Sequence, residues 1–318
     1  MLISNSISEC SVNNQNRPIK LLLLFILLLL GITGCEAQPA IVARVGESTI
    51  TIMDVTYRQE VMVLRHGEVF PSHLALLQLI EETLMVEVGR SYGIVVNEQL
   101  LADEAARVQA TSRDPAMLAS IRSVFGDDEA SYRRLVLHPT LVNQLLHARF
   151  SLDHDIQIEP LARAKALLAA ALADPNSLPN LGEQFGGDYR ILEVVGGRLY
   201  NSDQPGGDEL PGELGQYDIE LPDYDREFVE QVLTALKVGE LHPKVVEDRD
   251  QFMVVRLLIR QGDNAKLESL VIPKLVFDPW FQVQSQLVPL TVSDQLLKEA
   301  LLAEVDVPYI TDRLAGER

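Results

Sequence analysis

The chain has 318 residues, 47% of them hydrophobic, and carries 46 Asp and Glu against 27 Lys and Arg, for a formal net charge of −19. That length and apolar content suffice for two modest domains with packed cores. So acidic a surface repels nucleic acid and anionic lipid headgroups, which argues against both as charge-driven partners.

In chain order, the first feature is Lys20 followed by the apolar run Leu21–Leu30 and then Gly31-Ile32-Thr33-Gly34-Cys35. A basic start with Arg17 and Lys20, a short apolar stretch and a small-residue ending make the layout of a bacterial export signal. The run is about half of the ~20 residues a helix needs to cross a bilayer, so a cleaved signal is expected over a permanent anchor. Ile32-Thr33-Gly34-Cys35 resembles a lipobox. The resemblance implies that residues 1–34 are removed and that Cys35 receives diacylglycerol. Each buried methylene contributes about 0.8 kcal/mol, so a multiply acylated cysteine anchors stably. Residue 36 is Glu and not the Asp that often retains such proteins at the inner membrane, which favours the periplasmic face of the outer membrane. Residues 1–16 are long for a signal start and fit an extension ahead of the true initiation site. Residues 1–34 carry Arg17 and Lys20 against Glu9, so losing their net +1 takes −19 to −20. Cys10 leaves with the leader and Cys35 is acylated, which leaves no disulfide and no cysteine-based zinc site.

Residues 35–40 read as a short tether. Ile41–Val45 reads as a strand, Gly46-Glu47-Ser48 as its turn and Thr49-Ile50 as its continuation. Thr51 with Asp54 is a capping-box start for a helix that stops at Gly67. Ser72 is expected to cap the next helix, whose Leu77, Ile80, Leu84 and Val88 share one face and which ends at Tyr92-Gly93. Ile94-Val95-Val96 is an extended link. Asn97, Asp114 and Asp127 are expected to cap three further helices, and Pro139 to kink or break the chain before Leu141–Phe150. Leu76, Leu79, Met85 and Val86 widen the second helix's apolar surface beyond one stripe. Either that helix is buried on two sides, or it offers a greasy cradle to unfolded segments.

A second region begins near Asp155. Pro160–Leu172 is a strong helix, 174–222 is rich in Gly and Pro and expected to be loop-rich, and Tyr224–Leu236 is helical. Lys244–Val246 and Phe252–Ile259 read as strands about an Asp248-Arg249-Asp250 turn, the latter apolar enough for a central strand. Residues 263–318 are expected to form a helical tail, with helix-forming character strongest over 292–305. Its Pro279-Trp280-Phe281 cluster either packs on the N-terminal domain or forms a hot spot for clients.

Val42–Thr51, Leu76–Leu84 and Tyr92–Glu98, in that order, resemble the chaperone domain of the SurA/PrsA family of periplasmic foldases over 41–150. Pro211-Gly212-Glu213-Leu214-Gly215-Gln216-Tyr217, Phe228–Leu233, Lys237–Val246 and Gln251–Leu257 resemble elements of a parvulin-type prolyl isomerase domain over 155–262. The resemblance implies an α+β fold: a mainly helical chaperone domain, then a small α+β domain with an antiparallel sheet. It also implies a histidine in a first strand, another in the closing strand, and an acid or thiol after a serine. Here Met253 stands at the closing-strand position next to Phe252, His154 is the candidate for the first, and Asp203 follows Ser202.

Prolyl isomerisation crosses a barrier of ~18–20 kcal/mol without breaking a bond, so a catalyst must bind the twisted imide better than the planar one. Met253 can line such a pocket but offers only a weak acceptor. His66, His73, His138, His147, His154 and His242 form no His-x-x-x-His pair, and Asp153-His154-Asp155 offers too few ligands for a firm metal site. No Gly-x-Ser-x-Gly or Walker sequence is present, and Gly196-Gly197 and Gly206-Gly207-Asp208 open no phosphate-binding helix. The expectation is therefore a lipid-anchored foldase without cofactor, metal, nucleotide or nucleic acid. It would bind unfolded or nascent exported proteins, with Leu76, Leu79, Met85 and Trp280 as contact candidates. An active isomerase and a structural lipoprotein subunit of an envelope or secretion assembly are the alternatives.

Overall fold

In the computed structural model, which describes residues 39–195, 198–201, 236–262 and 264–316, the chain folds as α+β with two antiparallel sheets. β1 (Ile41–Val45) and β2 (Ser48–Thr51) form a hairpin. Its turn needs glycine: Gly46 has φ 58°, and a Cβ there would lie 2.8 Å from Glu87 Cδ. Thr51 opens α1 (Ile52–His66) with a full capping box, its hydroxyl accepting from Asp54 N at 3.3 Å and Asp54 accepting from Thr51 N at 2.8 Å. Gly67, at φ 75°, ends it.

α2 (Ser72–Ser91) is the spine of the helical module. Pro71, and not Ser72, occupies its N-cap position, and no side chain caps it there. Ala75, Leu76, Leu79, Ile80, Leu84 and Val88 are all buried, so the wide apolar surface is that of a helix covered on two sides. α3 (Glu98–Thr111) is capped by Asn97 and α4 (Pro115–Val124) by Asp114. The next cap is Asp128, one residue beyond the expected Asp127, and it opens the short α5 (Glu129–Tyr132). A π turn, Arg133–Leu137, then leads into α6 (His138–Leu152). Pro139 was expected to kink or break this run before Leu141, and the helix is not broken there. Pro139 sits in the first turn of α6, directly after the π turn, where the wider backbone ring accommodates its missing N–H.

α7 (Ile158–Ala173) and α8 (Leu178–Phe185) pack on one face of a sheet whose strands run in the order β4-β3-β7-β6-β5. These are β3 (Asp188–Val195), β4 (Arg198–Asn201), β5 (Val246–Glu247), β6 (Gln251–Gln261) and β7 (Asn264–Pro273). The expected loop-rich stretch thus contains α8, β3 and β4. The expected helical tail also starts later than 263, because 264–273 is strand. Gly262 at φ 63° turns the chain between β6 and β7. β7 alternates Ala265, Leu267 and Val271 on one face with Leu270 and Ile272 on the other. Both faces are covered, which is why the segment carries no simple polar and apolar alternation.

Beyond β7, the chain returns to the helical module through α9 (Phe277–Ser285), β8 (Leu290–Val292), α10 (Gln295–Glu304) and α11 (Pro308–Gly316). β8 pairs antiparallel with β1, giving the order β2-β1-β8. One core runs from Val42 in β1 to Leu314 in α11. No helix among the described residues is long and apolar enough to cross a membrane.

Candidate functional site

Two crossings join the helical module to the sheet: Asp153–Gln157 outward and Lys274–Val276 on the return. Gln157 is fully buried between them; its Nε2 donates to Phe150 O at 3.0 Å and its Oε1 accepts from Leu275 N at 2.8 Å. Lys274 is buried as well. Its Nζ donates to Ser151 O at 3.0 Å and to Glu247 Oε1 at 2.7 Å, and lies 5.1 Å from the centre of the Phe252 ring. The other oxygen of Glu247 meets His154 Nε2 at 2.7 Å. Buried amide and ion-pair contacts thus fasten the two crossings side by side.

Against this junction lies an open groove of about 750 Å³. Its walls are mainly aliphatic, with Ile94 and Val95 from the link, Leu100 from α3, and Leu145, Ala148 and Leu152 from α6, joined by Arg149, which pairs with Asp153 at 2.8 Å. Asp153, His154 and Asp155 close one end. Val95 is 76% exposed, and Leu100 and Leu152 are also open to solvent. Contiguous exposed aliphatic surface with a polar rim is the chemistry of a polypeptide contact.

A larger cleft, about 800 Å³, opens between β2, α2 and the π turn, and its walls are charged. Arg134 meets Asp54 at 2.5 Å, and Arg58 meets Glu82 at 2.5 Å and Leu135 O at 2.8 Å. Arg133 bridges Glu98 and Glu129, while Glu87 accepts from Ser48 at 2.6 Å and from Arg90 at 2.7 Å. Its charges are paired across the walls, so this cleft fastens the hairpin to the helices.

The contact candidates on α2 are corrected by the fold. Leu76 and Leu79 are core side chains, 0% and 2% exposed, out of a client's reach. Met85 is half-buried against the same core. Trp280, on α9, packs on Tyr92, Phe150 and Phe277 at ring separations of 5.1, 5.0 and 5.6 Å, which makes it a clasp between α9 and the earlier helices. His147 stacks on Phe277 at 3.6 Å, and burial holds its pKa below the ordinary histidine value.

The isomerase candidates do not converge. Phe252 faces α7 and α8 with Val254, Leu270 and Ile272. Met253, its neighbour on β6, points to the opposite face with Val255, Leu257 and Val271. His154 lies 6.3 Å from the Phe252 ring and therefore belongs to the other side of the sheet from Met253. The resemblance places a histidine-bearing strand ahead of the helix at 160. Residues 153–157 instead form the crossing, and β7, which follows β6, takes the middle of the sheet. Asp203, Pro211–Tyr217 and Phe228–Leu233 lie outside the described residues, as do Cys35 and the leader. Sequence reasoning missed Gln251, two residues before Met253 and so on its face. Gln251 Nε2 lies 3.0 Å from Asp248 Oδ2 and 3.8 Å from Met253 Sδ, and Gln251 Oε1 accepts from Arg190 at 3.4 Å. Among the described residues, no group of three or more His, Cys, Asp or Glu is placed to hold a metal ion. No family model matches the chain, and no curated protein matches it.

Proposed function

We propose that this protein is a lipid-anchored extracytoplasmic chaperone that holds unfolded exported polypeptides without nucleotide. The open aliphatic groove of Val95, Leu100 and Leu152 beside the junction carries the reading. It offers dispersion and apolar burial to any aliphatic stretch of an extended chain and demands no particular sequence. The lipobox-like Cys35 supplies the address, and the ordered resemblance over 41–150 to SurA/PrsA-type foldases agrees with the role. Binding in preference to turnover follows from Met253, a side chain with almost no hydrogen-bonding power where the family resemblance implies a histidine.

The test is aggregation suppression of a denatured outer-membrane protein diluted out of urea. The wild-type chain should suppress light scattering at stoichiometric ratio, and Val95→Asp with Leu100→Asp should lose most of that effect. No suppression by the wild type would favour a structural lipoprotein subunit. A protease-coupled proline-peptide assay should show no acceleration; clear catalysis lost on Met253→Ala would favour an isomerase.

A further inference from the structure

The strands of the smaller sheet end together on one side of the helical module. β1 begins at Ile41 opposite Thr51, the last residue of β2, and β8 ends at Val292 opposite Ala43. Just past β8, Ser293 N and Asp294 N donate to Val42 O at 2.8 and 3.3 Å, and Ser293 Oγ reaches Ile41 O at 3.4 Å. The residues that leave these strands therefore gather around Ile41: Ile52 and Met53 at the start of α1, and Leu296 at the start of α10. Ile41, Ile52 and Met53 are 39%, 39% and 43% exposed, and Leu296 is 79% exposed. Four large apolar side chains at one strand terminus differ from apolar residues scattered singly over a surface.

Chain length says what covers them. From Cys35 to Ile41 there are six Cα steps, which reach at most about 22 Å when fully extended, on the order of one domain's radius of gyration. An acyl chain on Cys35 would hold this terminus, more than any other described part of the molecule, within that distance of the bilayer. The sequence neighbours Thr51, Ser293 and Gln295 are uncharged, and Glu299, one turn beyond Leu296, accepts from Gln295 Nε2 at 2.8 Å. The carboxylate of Asp294 is occupied in capping α10, accepting from Leu297 N at 3.1 Å. We propose that Ile41, Ile52, Met53 and Leu296 form a membrane-resting patch, seated in the headgroup layer of the bilayer that carries the Cys35 lipid. The contact is apolar, so it needs no anionic lipid, in keeping with the acidic charge of the chain. It gives the anchored chain a fixed stance, with the Gly46-Glu47 turn at the opposite end of the hairpin directed away from the lipid. The proposal rests on lipidation of Cys35.

Cys35 is the only cysteine after the leader, so a single introduced thiol can be labelled. The full lipidated protein, carrying Met53→Cys or Leu296→Cys with an environment-sensitive fluorophore, is reconstituted into phosphatidylcholine vesicles with and without a headgroup-level spin-labelled lipid. Glu47→Cys, at a position whose side chain is 89% exposed, is the control. Labels at 53 and 296 should shift to the blue on reconstitution and lose emission to the quencher, while the label at 47 does neither. Equal quenching at all three positions, in protein that floats with the vesicles, overturns the proposal. A blue shift without lipid quenching also overturns it and makes the patch an interface between copies. Protein that fails to float with vesicles removes the lipidation reading itself, and the patch assignment with it.

Discussion

His147 shows how one side chain can report on the whole helical module. Its ring is stacked on Phe277, and burial lowers its pKa from the ordinary 6.5. A depressed histidine binds fewer protons folded than unfolded, so its contribution to stability is present above 6.5 and is lost as pH falls from there through the folded value. The urea midpoint of the wild type should therefore drop between pH 7.5 and pH 5.5 by more than that of His147→Phe. An identical drop in both proteins would assign the pH dependence elsewhere, for instance to His138, whose pKa is lowered by burial and then by Arg90. Val95 and Leu76 make the second residue-level contrast. Val95→Asp adds charge at an exposed site and should change stability by no more than about 0.5 kcal/mol while weakening client binding. Leu76→Ala empties a fully buried site and should cost about 2–5 kcal/mol in urea unfolding. Both are apolar residues of the same N-terminal sequence, and hydropathy alone does not separate them. α2 packs against α1, α6 and α10, and Leu76 is fully buried within that packing.

At the scale of elements, local chemistry was legible wherever a cap or a turn carried it. Thr51 with Asp54, Asn97, Asp114 and the left-handed Gly67 and Gly93 all mark boundaries that the structure keeps. Ser72 and Asp127 each misplace a start by one position, because Pro71 and Asp128 hold the extended or turn backbone that precedes the helix. β7 was not legible. Its two covered faces erase the period-2 signal, and only its pairing with β3 and β6 makes it a strand. The junction was equally hidden, since Gln157 and Lys274 are distant in sequence and neither belongs to a motif. Replacing Gln157 by Leu would leave Phe150 O and Leu275 N buried without their partner. It should cost about 1–3 kcal/mol for each group left unsatisfied. Differential hydrogen exchange should place the loss at 150–157 and 274–277; an unchanged urea midpoint would show that the Gln157 bonds do not hold the crossings.

For the whole molecule, the helical module is built from both ends of the described chain. β8 closes the small sheet against β1, and α9–α11 add Phe281, Leu301, Ile310 and Leu314 to the core that begins at Val42. A truncation after Pro273 should therefore unfold this module, and not merely shorten it. Circular dichroism should show loss of cooperative melting over 41–152 as well. The α+β class was implied by the family resemblance, but the return of the tail onto the first strand rests on contacts between distant residues, which leave no local signature. Within the same closure, Trp280 of α9 packs on Tyr92, just before the link, and on Phe150 of α6, beside the elements that line the groove. Site-specific photocrosslinking tests the central claim most directly. A photoreactive amino acid at Val95 should give a covalent adduct with an unfolded outer-membrane protein, and the same group at the exposed Glu47 should not. Equal adducts from both positions, or none from Val95, would contradict the assignment of the groove as the place where clients are held.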